Sequence, residues 1–130
     1  MKRSVLYLDD EEGHLNLFRE TFGGEYDVRT ASAADEARRM LAARAADVVI
    51  SDQMMPDTSG KDFLAEVAAA YPSTYRVLLT GSITVGDAIS EIGGGVVNAF
   101  VTKPWGKEDI NRVLERGRAD EEARRGAGGR

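Results

Sequence analysis

Four short runs of unbroken apolar residues set the strongest limit on what this chain can fold into: VLYL (5–8), VVI (48–50), VLL (77–79) and AFV (99–101). A strand with no polar alternate has no face to give to water. Each run therefore needs cover on both sides, as in a parallel sheet wrapped by helices. A fifth segment, YDVRTA (26–31), sets Tyr26 and Val28 against Asp27 and Arg29, the alternation of an edge strand with one wetter face. Between these segments lie stripes of helical period: Leu15, Phe18 and Phe22; Ala37, Met40 and Leu41; Phe63, Leu64, Val67 and Tyr71; Val85, Ala88, Ile89 and Ile92; and Ile110, Val113 and Leu114. All are read as core packing. Ser32 with Asp35, and Thr84 with Asp87, have the spacing of capping boxes and mark helix starts. Gly23-Gly24 and Gly93-Gly94-Gly95 mark stops.

Strand followed by helix, repeated five times, predicts an α/β domain with right-handed crossovers. With one alternating edge, the expected architecture is a flavodoxin-like, doubly wound (βα)5 fold with a five-stranded parallel sheet in the order 2-1-3-4-5. The 130 residues suffice for one domain with a real core. The domain is expected over 1–118. After Leu114 the chain reads ERGRADEEARRGAGGR, which suggests a last helix that frays, with 119–130 as a flexible tail or the start of a linker. A net charge of −5 argues against nucleic acid or membrane as the main partner. The absence of cysteine removes disulfides and thiolate metal sites. The apolar run in MKRSVLYLDDEE is too short for a signal peptide, and no stretch has the length of a membrane span. The expected location is cytoplasmic.

The chemistry is read at the strand ends. VLYL runs into Asp9, Asp10, Glu11 and Glu12, and VVIS runs into Asp52. In an open α/β sheet, sites form beyond the carboxyl ends of the strands at the switch between strands one and three, so Asp9, Asp10 and Asp52 are expected to converge. Carboxylates so close repel unless a cation joins them. Lys103, which ends the fifth strand, supplies one charge, and a hard divalent ion held by carboxylate oxygens supplies more. Mg2+ suits such a site, with Mn2+ as a substitute. A carboxylate is ionised at neutral pH and needs no base to attack phosphorus. It needs placement and charge neutralisation. Thr80 offers a hydroxyl at the end of strand four and Gly81 offers room, so an aspartyl phosphate on Asp52 follows.

These residues resemble the receiver domain of two-component response regulators (the CheY-like family). The resemblance covers residues from about 3 to 118 and rests on LDDEE, SDQMMPDTSG, LLTGS and VTKPW, in order and at the family's intervals. It implies that Asp52 is the phosphoacceptor, that Asp10 ligates Mg2+ directly with Asp9 beside it through water, and that the Met54 backbone carbonyl completes the protein's metal ligands. Thr80 takes the place of the switch hydroxyl and Lys103 that of the lysine paired with a phosphoryl oxygen, with a cis bond to Pro104. Phe100 matches the aromatic switch, where tyrosine is common; a plain core aromatic is an equal reading. Met54 and Ser82 stand where the family modulates access to the acyl phosphate. His14, the single histidine, is read as exposed or partly packed rather than as a phosphate carrier. Trp105 either joins a contact or packs under its loop.

The implied donor is a phosphohistidine on a sensor histidine kinase or phosphotransfer protein. The implied output is an attached domain or a partner that meets the face of the fourth helix, fifth strand and fifth helix, with a homodimer open to it. No direct nucleic-acid or membrane contact is expected. The LLTG and TKPW variants resemble receivers joined to cyclic-dinucleotide or ATPase output modules. The alternative is a phosphorylation-independent interaction module on the same fold. A haloacid-dehalogenase-like phosphatase would want an acid where Met54 stands. A flavodoxin would want Ser, Thr and Gly, not DDEE, in its first loop. The chain is thus read as a signalling phosphoacceptor that assists its own phosphorylation and dephosphorylation, and not as an enzyme.

Overall fold

The computed structural model of the chain describes residues 2–81, 90 and 92–128. In chain order these form β1 (Ser4–Leu8), α1 (Glu12–Phe22), β2 (Asp27–Ala31), α2 (Ala34–Ala43), β3 (Val48–Asp52), α3 (Gly60–Ala70), β4 (Tyr75–Thr80), β5 (Ala99–Thr102) and α4 (Lys107–Gly128). The strands build one sheet in the order β2-β1-β3-β4-β5, every neighbouring pair parallel. The expected strand order and the edge position of 26–31 are both found. Of the predicted fourth helix, Thr84, Val85, Asp87, Ala88 and Ile89 lie outside the described residues, as does Ser82. Gly95, just after it, has φ +80°, the left-handed conformation in which a glycine closes a helix.

The apolar runs are continuous because the sheet is covered twice. Val5, Tyr7, Val48, Ile50, Val77 and Leu79 point to one side, onto Leu15 and Phe18 of α1 and Ile110 and Leu114 of α4. Their sequence neighbours Leu6, Leu8, Val49 and Leu78 point to the other, onto Leu41 of α2 and Phe63 and Leu64 of α3. This is the period of two of a strand applied where both faces are dry. Each fully buried leucine or phenylalanine contributes roughly 1.5–3 kcal/mol. The central strands meet water only at their ends, and the edge strand β2 is partly exposed along most of its length.

Helix starts depart from expectation in one place. Ser32 and Asp35 do not form a capping box: the N-cap position of α2 is Ala33. Glu36 reaches back instead, accepting from the Ser32 N–H at 2.9 Å. The first free amides of α2 are taken by a residue from another loop, since the Asp57 carboxylate accepts from Ala34 N–H at 3.1 Å and Asp35 N–H at 3.0 Å. The start of α3 is capped locally, by Ser59 Oγ accepting from Asp62 N–H at 3.1 Å.

The segment 119–130, expected to be a flexible tail or the start of a linker, is helical as far as Gly128. Its charges fall at i,i+4 spacing: Arg118 with Glu122 at 3.1 Å, Asp120 with Arg124 at 3.1 Å, and Glu121 with Arg125. Such pairs each add a few tenths of a kcal/mol to a helix. Glu121 also pairs with Arg3, and Arg124 donates to the Ser73 carbonyl at 3.0 Å, so this part of α4 is tied to the domain.

At the lower end of the sheet two arginines serve carbonyl oxygens. Arg29 donates to Arg44 O at 2.9 Å and Ala45 O at 3.1 Å, at the end of α2. Arg76, 6% exposed, donates to Thr74 O at 2.7 Å, Val96 O at 2.8 Å and Gly95 O at 3.0 Å. It joins the turn before β4 to the approach to β5. Arg76→Ala is expected to lower stability by about 2–3 kcal/mol in urea unfolding, because these charge-assisted bonds are lost together. The Ala34 N–H, with that of Asp35, holds the Asp57 carboxyl below the ordinary carboxylate range. A depressed carboxylate stabilises above its unfolded value and loses that contribution as the pH falls through its folded one. Thermal melts should therefore place Asp57→Asn below wild type near neutrality, with the gap closing below about pH 4.

Candidate functional site

β1 and β3 are neighbours, with Leu8 registered on Ser51, so the residues that follow them emerge side by side. Asp9, Asp10 and Asp52 each place a carboxylate oxygen within 4.8 Å of the others. Asp9 is 0% exposed and Asp52 3%, whereas Asp10 is exposed. Lys103, delivered by β5, sets Nζ 2.6 Å from Asp52 Oδ2 and 3.9 Å from Asp9 Oδ2. Its bond to Pro104 is cis. Burial alone would pull the Lys103 ammonium down, but the hydrogen bond to Asp52 and the charges of Asp9, Asp52 and Glu11 outweigh it and raise its pKa. The lysine is therefore a fixed cation in a group that remains rich in negative charge.

The two buried acids are held differently. Asp52 Oδ1 accepts from the Met54 N–H at 3.2 Å while Oδ2 takes Lys103. Asp9 is surrounded by donors: Glu11 N–H at 3.0 Å on Oδ1, and the Tyr7 hydroxyl at 2.9 Å on Oδ2. His14 Nδ1 also lies 3.0 Å from Asp9 Oδ2, and 2.9 Å from Glu11 Oε2. His14 is thus partly packed beside the acids, as expected. With so much of Asp9's acceptor capacity used, Asp10 is the acid with open oxygens.

A cleft of about 510 Å3 opens over this group, lined by Asp52, Gln53, Met54, Thr80, Gly81 and Lys103. Thr80 reaches it from the end of β4, whose register pairs Thr80 with Thr102 just before Lys103. Among the described residues, chain neighbours aside, no atom lies within 4 Å of where a side chain on Gly81 would begin. The loop after β3 is closed by Gly60, whose N–H donates to Gln53 O at 3.0 Å. A Cβ on Gly60 would meet the Asp52 carbonyl at 2.2 Å. Glycine at 60 is thus what lets α3 start against the end of β3.

Phe100 is half-buried on β5 and packs on the α2–α3 side of the sheet. Trp105 is also half-buried, against Tyr7 and Phe18 of the opposite core, so it packs under its loop. Sequence reasoning did not single out Tyr7 or Asp57. Tyr7 left a signal, since a phenol within an aliphatic run on a central strand must find a hydrogen-bond partner.

The acid cluster offers only oxygen donors, a set that suits a hard divalent cation such as Mg2+ or Mn2+. Asp9, Glu11 and His14 form a second set of neighbouring donors.

A model of the response regulator receiver domain matches residues 5–115. The chain belongs to this family. Receivers are signalling phosphoacceptors rather than enzymes, and the acids with Lys103 are consistent with a receiver's phosphoacceptor site. Among curated relatives, the receiver is similar to the hydrogenase transcriptional regulatory protein HoxA of Cupriavidus necator, 34% identical over 102 residues, 78% of this chain and 21% of that protein. It is also similar to the transcriptional regulatory protein GlrR of Escherichia coli, 31% identical over 112 residues, 85% of this chain and 25% of that protein. The chain therefore spans only about a fifth to a quarter of these relatives. Among solved structures, the signal receiver domain of an HD domain-containing protein from Pseudomonas fluorescens Pf-5 superposes with a TM-score of 0.83 at 28% identity, covering 96% of this chain and 93% of that one. NtrX from Brucella abortus gives 0.86 at 25% identity, covering 98% of this chain and 30% of that one. Among the described residues no helix is long and apolar enough to cross a membrane.

A ligand that binds only the folded receiver stabilises it by mass action. Mg2+ at about ten times its Kd adds about 1.4 kcal/mol. Thermal melts are expected to shift upward with Mg2+ for wild type and not for Asp10→Asn, since Asp10 carries the open oxygens.

Proposed function

We propose that the receiver takes a phosphoryl group from a phosphohistidine onto Asp52 in a Mg2+-dependent reaction, and that this event changes its conformation to signal to an output domain or partner. The observation that carries the reading is the placement of Asp52: buried at the end of β3, 2.6 Å from the Lys103 ammonium, with Asp9 and Asp10 oxygens within 4.8 Å. An Asp52 oxygen attacks phosphorus in line with the P–N bond, which breaks as the O–P bond forms. The imidazole leaves with the bonding pair and regains a proton in the donor protein. Lys103 shifts from Asp52 toward an oxygen of the incoming group, and Thr80, lining the same cleft, donates its hydroxyl to another. Asp10, Asp9, Asp52 and the Met54 carbonyl would hold the divalent ion, which supplies charge neutralisation of the phosphoryl oxygens when bound.

The switch follows from the same contacts. Thr80 and Lys103 stand at the ends of β4 and β5, so displacement of Lys103 acts on the strand that carries Phe100, and displacement of Thr80 on the strand paired with it. In this reading the signal leaves by the face formed by the predicted fourth helix, β5 and α4. The donor is a sensor histidine kinase or a phosphotransfer protein.

The direct test is intact-mass measurement after incubation with acetyl phosphate and Mg2+. Wild type should gain one phosphoryl group, and Asp52→Asn should gain none. Omission of Mg2+ should remove the gain. No gain with acetyl phosphate or with a phosphohistidine donor would leave the phosphorylation-independent interaction module as the better reading.

A further inference from the structure

The loop that carries Lys103 makes a second connection to the acid cluster. Trp105, two residues on, donates its indole Nε1–H to the Tyr7 hydroxyl at 3.1 Å, and that hydroxyl donates to Asp9 Oδ2 at 2.9 Å. The two arms from one loop thus end on different acids, Lys103 on Asp52 and Trp105 through Tyr7 on Asp9.

The arm is built from buried and rigid parts. Tyr7 and Asp9 are both 0% exposed. The Tyr7 ring stacks on Phe18 with centroids 4.2 Å apart and planes 8° from parallel. Trp105 meets Phe18 edge-on at 5.7 Å and Tyr7 at 6.4 Å. A phenol carries its proton at neutral pH, so the hydroxyl is a donor. Its one proton goes to Asp9 because the indole can only donate, and this fixes the direction of the whole chain. A buried carboxylate whose orientation is set by such a donor is in the position of a metal ligand held by an outer partner, and losing that partner commonly weakens metal binding by tenfold or more.

We infer that Tyr7 and Trp105 are positioning residues that hold Asp9 in the orientation needed to bind the divalent ion, coupling the loop after β5 to the metal half of the site. This rests on the proposed metal role of the acids. Trp105 is the chain's single tryptophan, so its fluorescence reports on the site it is wired to.

The test counts free Mn2+ by electron paramagnetic resonance as each folded protein is titrated at a temperature well below its melting point. Tyr7→Phe keeps the ring and removes only the hydroxyl, and should weaken Mn2+ binding about tenfold. Trp105→Phe should weaken it less. The double variant should bind no more weakly than Tyr7→Phe alone, because the indole acts only through the hydroxyl. A purely structural role would lower the melting temperature and leave Mn2+ affinity unchanged. Wild-type affinity in folded Tyr7→Phe, or additive losses in the double variant, would overturn the inference while leaving the metal site standing. Failure of wild type itself to bind Mn2+ would overturn both.

Discussion

Asp9 and Asp52 are carboxylates removed from water, and the contact of Asp52 with Lys103 Nζ is the interaction around which the upper end of the molecule is arranged. A buried charge is tolerated only if it is paired and hydrogen-bonded. Both acids meet that condition, but with partners drawn from different elements: Lys103 after β5 and the Met54 amide after β3 for Asp52, Tyr7 of β1 and His14 of α1 for Asp9. The elements that end here are therefore held to one another through charge. A site organised in this way responds to a change of charge, which is what a phosphoryl group on Asp52 would bring.

The two ends of the sheet are stabilised by different means. Below, Arg29 and Arg76 satisfy backbone carbonyls that no helix or strand would otherwise serve, and their guanidinium groups keep that role whatever happens above. Above, the loop between β3 and α3 is shaped by the close approach of Gly60 to the Asp52 carbonyl. It is then anchored to α2 by Asp57 on the Ala34 and Asp35 amides and by Thr58 Oγ1 accepting from Arg38 at 2.9 Å. The residue proposed to receive the phosphoryl group and the start of α2 thus share one short loop.

Much of this was legible in the chain because it follows from periods. VLYL, VVI and VLL have no polar alternate, so they had to be central strands, and YDVRTA had to be the edge. A parallel sheet in that order brings the ends of β1 and β3 together, so the convergence of Asp9, Asp10 and Asp52 with Lys103 needed no coordinates. The α2 start was placed one residue early because Ser32 and Asp35 have the right spacing, yet the competing cap, Asp57, comes from a distant loop. The continuation of α4 was obscured by the glycines of ERGRADEEARRGAGGR, while the i,i+4 pairs and the Arg3–Glu121 contact that support it depend on where the helix lies.

By itself, the sequence determined the fold class, the strand order and the set of acids and lysine at the site, because hydrophobic period and residue type are local properties that topology converts directly into position. Tertiary structure alone decided which groups from distant segments meet. Trp105 becomes the donor to the Tyr7 hydroxyl only when the loop after β5 arrives beside β1, 98 residues away in the chain. Asp57 becomes a helix cap only when its loop arrives at an amide 23 residues earlier. Hydrogen bonds are directional and short, so contacts between distant segments are set by the packed geometry and leave no periodic trace in the chain.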